Sequence, residues 1–188
     1  PDSDDRYPTW SPDGSRLAFH SNQGGDFEIF VINTNGTGMA ALTDNDADDL
    51  GPDWSPDGTQ IAFHTSLWDF PYELAVLDLN SGQIRRLTDN NDTNTFPTWS
   101  PDGTQIAYNA ISSINADANI YIMQTEGAGR RQLTSDATRN TFPDWSPDGS
   151  QIIYQRGNPD VSAIYTIPAG GGTPTALTPS NSNFLPAW

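Results

Sequence analysis

The sequence predicts an all-β protein, a β-propeller, on three observations. The segment PTWSPDGSRLAF, which begins at Pro8, returns three more times with small changes. Its tryptophans, with that of a fifth, partial copy, follow one another at intervals of 44, 45, 46 and 43 residues. Each interval holds β-branched and aromatic runs separated by turn residues, with no helical periodicity. Four short antiparallel strands in a repeat of this length are typical of one propeller blade.

Each repeat unit begins with an extended P-x-W-S segment and a turn. The S-P-D-G sequence, with Pro second and Gly fourth, is typical of a type I turn, so the chain should return as a hairpin. A third strand, apolar on both faces, and a shorter fourth strand follow. The predicted second strands span 16–20, 60–64, 105–109 and 151–155, the third strands span 28–33, 73–78, 119–124 and 163–168, and the fourth strands end in the Leu-Thr pairs at 42–43, 87–88, 133–134 and 177–178.

Residues 1–188 are therefore predicted to form one propeller array, with four complete blades and the first strand of a fifth, beginning near Phe184. Residues 1–10 align with 179–188, which favours a piece cut in register from a longer array. A fragment of a larger propeller and a propeller completed by self-association are both open. The predicted units are 1–43, 44–88, 89–134, 135–178 and, in part, 179–188.

Charge and composition exclude several classes of function. The chain has 24 acidic and 8 basic residues, a net charge of −16. Nucleic acids and anionic membrane surfaces are bound through Lys and Arg, so neither is an expected partner. No apolar run is long enough to span a bilayer. Cysteine is absent, which excludes disulfides, thiol catalysis and thiolate metal sites.

The unit P-x-W-S-P-D-G-x-x-I-A-F, followed by an I-Y-x-M type strand and a closing L-T, resembles the TolB-type, WD-like propeller repeat. The resemblance implies a bacterial periplasmic or extracellular protein that acts as a protein-docking platform. Similar repeats precede serine peptidases of the tricorn and prolyl-oligopeptidase kind, where they filter substrates, and related propellers include polysaccharide lyases with a His-bound metal. Three functions are open: a non-enzymatic protein-binding scaffold, which we favour, a substrate-gating domain of a larger peptidase, and a structural subunit of an extracellular assembly.

Residues repeated in every unit are predicted to be structural. There is no G-x-S-x-G nucleophile motif, and the repeated serines precede proline in turns, so no enzymatic activity is expected. The turn aspartates should accept backbone N–H bonds, and the tryptophans should pack between blades. These residues are Ser11, Ser55, Ser100 and Ser146; Asp13, Asp57, Asp102 and Asp148; and Trp10, Trp54, Trp99, Trp145 and Trp188.

His20 and His64 occupy one repeat position, ten residues after their tryptophans. The third and fourth units have Asn109 and Gln155 there. Exchange between histidine and amides indicates a structural hydrogen-bonding position rather than a metal ligand.

Variation is concentrated in the loops between second and third strands and in the connectors between blades, which should share one face of the propeller. We call this the connector face and expect binding there. Its carboxylates suit Ca²⁺, although their spacing matches no EF-hand, so calcium is a possible cofactor and none is required. The candidate binding residues are Asp44, Asp46, Asp48, Asp49, Asp89, Asp92, Arg139 and the aromatic group Trp68, Phe70 and Tyr72; the calcium candidates among them are Asp46, Asp48, Asp89 and Asp92.

Overall fold

A computed structural model describes residues 3–68, 71–112, 117–158, 160–180 and 186–187. Phe70, Trp188 and the fifth-unit strand predicted from Phe184 lie outside these residues. Within them the chain forms β-strands and turns, and no helix long and apolar enough to cross a bilayer occurs there. The strands of the described chain are β1 Asp5–Trp10, β2 Arg16–Ser21, β3 Glu28–Asn33, β4 Ala40–Ala41, β5 Asp49–Trp54, β6 Gln60–Thr65, β7 Glu73–Asp78, β8 Ile84–Arg86, β9 Thr93–Trp99, β10 Gln105–Ile111, β11 Ala118–Gln124, β12 Arg131–Gln132, β13 Asn140–Trp145, β14 Gln151–Gly157, β15 Ser162–Pro168 and β16 Thr175–Ala176.

The strands form four antiparallel, four-stranded sheets, each in sequence order: β1–β4, β5–β8, β9–β12 and β13–β16. This is the up-and-down topology of a propeller blade, as the repeat predicts. The middle strands pair along their whole length, whereas the fourth strands are only two or three residues long. The third strands β3 and β7 begin and end where the sequence places them.

The chain divides into two compact units, Pro1–Asn90 with Asn94–Pro97 and Asn91–Thr93 with Thr98–Trp188. The core of the first unit packs β3 of the first sheet against β6 and β7 of the second, with Ile29, Ile61 and Phe63 fully buried. The core of the second unit is built in the same way around Ile120 and Ile152. Each core forms because both faces of these strands are apolar, as the sequence indicates.

The S-P-D-G turns have the structure predicted for them. In the first, Gly14 N–H donates to the Ser11 carbonyl oxygen at 2.8 Å, and the Asp13 carboxylate accepts from the Ser11 hydroxyl at 2.7 Å and from Ser15 N–H at 3.0 Å. These bonds lower the pKa of Asp13 to about 2. The Ser11 hydroxyl accepts in turn from Arg16 N–H at 2.9 Å. The same bonds recur in the turns of the other three sheets.

Three of the described repeat tryptophans pack as predicted and one does not. Trp54, Trp99 and Trp145 are 5%, 8% and 5% exposed, whereas Trp10 is 62% exposed. Trp54 is buried beneath the preceding sheet, where the Arg16 guanidinium lies 4.9 Å from its ring centroid. Trp10 lies in the first strand of the first sheet, so the described residues include no preceding sheet of the kind that covers Trp54. The prediction of a packed tryptophan is therefore wrong for Trp10.

A bulge that the sequence does not indicate interrupts the first strand of three sheets. The ladder register shifts within β1, β5 and β13. Three residues before the tryptophan, the backbone adopts a positive φ in all four sheets, at Tyr7, Gly51, Phe96 and Phe142 (52°, 58°, 53° and 55°). Side chains rarely adopt this conformation, so tertiary contacts must hold it. A bulge of this kind redirects the residue it contains.

Candidate binding face

The side chain at the histidine position accepts a hydrogen bond from the positive-φ residue of the following sheet. Gly51 N–H donates to His20 Nδ1 at 3.1 Å, and Phe96 N–H donates to His64 Nδ1 at 3.4 Å. In the third sheet Asn109 Oδ1 takes the same role, accepting from the bulge at 3.4 Å. This is the structural hydrogen bond that the exchange of histidine and amide predicts.

Both imidazoles are neutral acceptors because they are buried. Burial lowers the pKa of His20 to about 4 and that of His64 to about 3. Neighbouring positive charge adds to both shifts, since Arg6 lies near His20 and the two imidazoles repel one another when charged. At neutral pH the site therefore presents two uncharged rings.

Aromatic rings surround the two histidines in the first unit. Tyr7 stacks on His20 at a centroid distance of 5.4 Å, and Phe27 meets the edge of the same imidazole at 5.2 Å. His64 has rings on two sides, Tyr72 at 5.5 Å and Phe96 at 4.9 Å. The Tyr7 and Phe96 rings lie 5.1 Å apart, so the contacts form one continuous group. We call it the aromatic cluster: Tyr7, His20, Phe27, His64, Tyr72 and Phe96.

The two histidines are buried, but the four other rings of the aromatic cluster are only partly covered. Tyr7 and Phe96 belong to first strands, and Phe27 and Tyr72 belong to loops between second and third strands. The cluster thus joins the bulges to the variable loops of the connector face. Sequence reasoning missed this group, although the aromatic residues three positions before Trp10, Trp99 and Trp145 were a signal that could have revealed part of it.

Asp48 fixes the rim of the aromatic cluster. Its carboxylate accepts from Phe27 N–H and from the Tyr72 hydroxyl, both at 3.2 Å. Its own N–H donates to the Ser66 hydroxyl at 3.0 Å. Burial, reinforced by the Asp48 charge, raises the pKa of Tyr72. Two residues predicted separately, one in a connector and one in a loop, therefore meet on the same face, as the up-and-down topology requires.

Trp68 and Tyr72, the two described members of the predicted aromatic group, contact different partners. Trp68 is partly buried against the first core, and the Arg86 guanidinium lies 5.2 Å from its ring centroid. Tyr72 turns to the aromatic cluster instead. Leu67, which the sequence analysis did not select, is 39% exposed beside them.

The predicted acidic residues are in unlike environments. Asp44 and Asp46 are exposed, and Asp89 is exposed with a 2.9 Å ion pair to Arg86. Asp92 pairs with Arg130 at 2.6 Å, and Arg139 is exposed in the third connector. The prediction that Asp49 lies on the binding surface is wrong. Asp49 is fully buried, because it begins β5 beneath the first sheet. In the described part of the chain, no three His, Asp or Glu side chains come together to hold a metal ion, so the calcium set stays a prediction.

A second kind of residue missed by the sequence analysis lies where successive sheets meet. The threonine of each Leu-Thr pair accepts from the second residue of the predicted third strand at 2.9 Å, as Thr43 does from Ile29 N–H. In the first three sheets, the residue just before this N–H donor is a Glu or an Asn. Its side chain faces an Asp or an Asn in the first strand of the next sheet. In the described chain these facing pairs are Glu28 with Asp49, Glu73 with Asn94, and Asn119 with Asn140.

The face formed by the S-P-D-G turns has shallow clefts of one repeated construction. A cleft of about 320 Å³ lies between the turn of the third sheet and Trp145, and one of about 150 Å³ lies between the turn of the first sheet and Trp54. Both are lined by the repeated serine, proline and aspartate. Since these residues hold the turns together, the clefts follow from the blade geometry.

The repeated blades match a known protein family. The family model described as the TolB beta propeller domain matches residues 5–68 and 72–188. The chain belongs to the TolB β-propeller domain family. No match was found among curated proteins.

Solved structures show the same TolB-type fold. The chain is similar to a putative TolB from Agrobacterium tumefaciens, with a TM-score of 0.80 and 24% identity over 90% of this chain and 63% of that one. It is similar to TolB from Acinetobacter baumannii, with a TM-score of 0.82 and 22% identity over 96% and 45%. It thus spans less than two thirds of either TolB chain. A puromycin-hydrolyzing peptidase from Mycobacterium tuberculosis contains a similar fold, with a TM-score of 0.72 and 14% identity over 98% of this chain and 30% of that one.

Proposed function

We propose that this TolB-type propeller is a non-enzymatic scaffold that binds a protein partner through its connector face, in a bacterial periplasm or outside the cell. The observation that carries the proposal is the aromatic cluster, four partly covered rings held around two neutral histidines. Membership of the TolB family supports the location, and the variable loops around the cluster support the choice of face.

The physical properties of the aromatic cluster suit a protein interface. Aromatic side chains lose little conformational entropy on binding and contribute much of the energy at the centre of interfaces. Here the rings are already fixed, Tyr72 by its bond to Asp48 and Tyr7 by stacking on His20. Because both histidines are neutral at pH 7, a partner covers the cluster without burying an imidazolium charge.

Charge around the cluster favours a basic partner segment. Asp44 and Asp46 are exposed on the connector that carries Asp48, and the chain has a net charge of −16. Charges of this kind at the rim of an interface act mainly on the association rate and on specificity. Binding through the cluster is therefore expected to weaken as salt increases.

The proposal can be tested by selecting displayed random peptides on the immobilised chain and measuring their affinities. The selected peptides should be basic with aromatic residues, and Tyr72→Ala should weaken them by about tenfold or more, the effect of losing an interface anchor. Gln83→Ala, an exposed change in the turn between β7 and β8, is the matched control and should leave affinity unchanged. If the peptides bind Tyr72→Ala and Gln83→Ala as tightly as they bind the wild type, the choice of face is wrong.

Two alternatives stay predictions. A substrate-gating domain requires an adjoining peptidase sequence with a G-x-S-x-G motif, which sequencing of the flanking gene would reveal. A structural subunit requires self-association, which the molecular mass in solution would show.

A further inference from the structure

The first two sheets meet at a buried polar junction. Glu28 begins β3 and Asp49 begins β5, and they are 6% and 0% exposed. Asn45 joins them, because its N–H donates to Glu28 Oε1 at 2.6 Å and its side-chain amide donates to Asp49 Oδ2 at 2.8 Å. The hydroxyls of Thr43 and Thr65 also hydrogen-bond to Asp49.

Each carboxyl group nevertheless keeps one buried oxygen that no donor reaches, Glu28 Oε2 and Asp49 Oδ1. The two groups lie within hydrogen-bonding reach of each other. The groups that do reach the two carboxyl groups, Asn45 and the two threonines, are hydrogen-bond donors. These donors favour charged carboxylates, so the two unpartnered oxygens call for a positive charge between them.

The next junction along the chain contains such a charge. Glu73 stands in the place of Glu28, and Asn94 stands in the place of Asp49. The Asn94 amide donates to Glu73 Oε2 at 3.0 Å, and Arg86 forms an ion pair with Glu73 Oε1 at 3.2 Å. Thr88 also donates to Glu73. The buried glutamate there has both a cation and a neutral amide partner.

Among the described residues, the first junction has no such cation, and the acidic Asp49 stands where the second junction has Asn94. The counterpart of Arg86 is Ala41, since Ala41 pairs with Phe30 on β3 as Arg86 pairs with Ala75 on β7. In the part of the chain that the structure describes, no ion pair includes Glu28 or Asp49. Two arginines on the surrounding strands are already paired, Arg6 with Asp4 and Arg86 with Glu73, and the charged groups that act on Glu28 are the acids Asp49 and Asp26.

We infer that a divalent metal cation of the oxygen-binding class that includes Ca²⁺ binds between Glu28 and Asp49, supplying the positive charge that Arg86 supplies at the next junction. Two carboxylates and neighbouring hydroxyl oxygens are ligands that Ca²⁺ accepts. The site differs from the set Asp46, Asp48, Asp89 and Asp92 that the sequence suggests. It links two sheets of the scaffold and does not depend on the proposed function.

The test uses the chain freed of metal with a chelator and then dialysed against CaCl₂ at about pH 7.5 in about 0.15 M NaCl, which screens weak surface binding. Metal analysis should find one tightly bound ion per chain. Thermal unfolding should show Tm rising by roughly 5–10 °C when free Ca²⁺ is about 100 times Kd, since only the folded chain holds the site.

Three variants separate this site from the exposed acids. Asp49→Asn copies Asn94, and with Ala41→Arg it rebuilds the second junction at the first. Asp49→Asn should lose the bound ion and the rise in Tm, and Ala41→Arg with Asp49→Asn should unfold at a Tm independent of Ca²⁺. Asp46→Asn, at an exposed carboxylate, should keep both the ion and the rise.

Two results would overturn the inference. The first is a wild-type chain that binds no Ca²⁺, or binds it equally well after Asp49→Asn. The second is an Asp46→Asn variant that loses both the bound ion and the rise in Tm, because the ion would then be held by the exposed acids.

Discussion

Lowering the pH from about 7.5 to about 5 should destabilise the protein through its two buried histidines. His20 and His64 are both 3% exposed, and each accepts a backbone N–H through Nδ1. A protonated imidazole at either position would lose that acceptor and bury a charge. Their pKa values, lowered to about 4 and about 3, express this cost.

The magnitude follows from the difference between folded and unfolded chains. Unfolded histidine has a pKa of 6.5, so below that pH the unfolded chain binds protons that the folded chain does not. The contribution is therefore complete above about pH 6.5 and is lost as the pH falls toward the folded values. At about pH 5 the contribution of each histidine to the free energy of unfolding is smaller by roughly 2 kcal/mol than at neutral pH. For the pair the loss is roughly 4 kcal/mol, a large part of a typical free energy of unfolding.

Urea unfolding at both pH values, in the presence of chelator, compares the wild type with the double variant His20→Asn, His64→Asn. Asparagine is a suitable replacement because Asn109 makes the same bond in the third sheet, at 3.4 Å. Other titrating groups, including the Glu28–Asp49 pair whose raised pKa values act in the opposite direction, are present in both proteins and cancel. Equal losses of stability in the two proteins would refute the reasoning.

Two further changes test the scaffold by urea unfolding. Gly51→Ala should lower the free energy of unfolding more than Gly82→Ala does. Both glycines have positive φ, which costs about 1 kcal/mol in each variant, but a Cβ at Gly51 would also lie 2.9 Å from His64 Cε1, whereas nothing lies within 4 Å at Gly82. Equal losses in the two variants would contradict the close contact. Trp54→Ala should cost about 3–5 kcal/mol, the usual loss for a buried aromatic side chain, and Trp10→Ala should cost far less, a difference that would vanish if Trp10 were covered in solution.

Much of the fold follows from patterns short enough to be read along the chain. The S-P-D-G turns, the hairpins they close and the bounds of β3 and β7 depend on residues a few positions apart. The hydrogen-bonding role of His20 and His64 could also be predicted, because repetition shows which residues are exchangeable at one position. The candidate site was predicted only in part: the sequence selected Asp48 and Tyr72 but gave no reason to join them.

The sequence by itself determined the blade, its four strands, its turns and the face on which variation collects, because local turn chemistry and two-residue alternation act within each repeat. Only the tertiary structure decided the bulges at positive φ, the aromatic cluster and the contact between Glu28 and Asp49. The physical reason is separation along the chain. These features depend on residues from different repeats or strands, and their energies come from burial and from unpartnered polar atoms, which exist only once the sheets have packed.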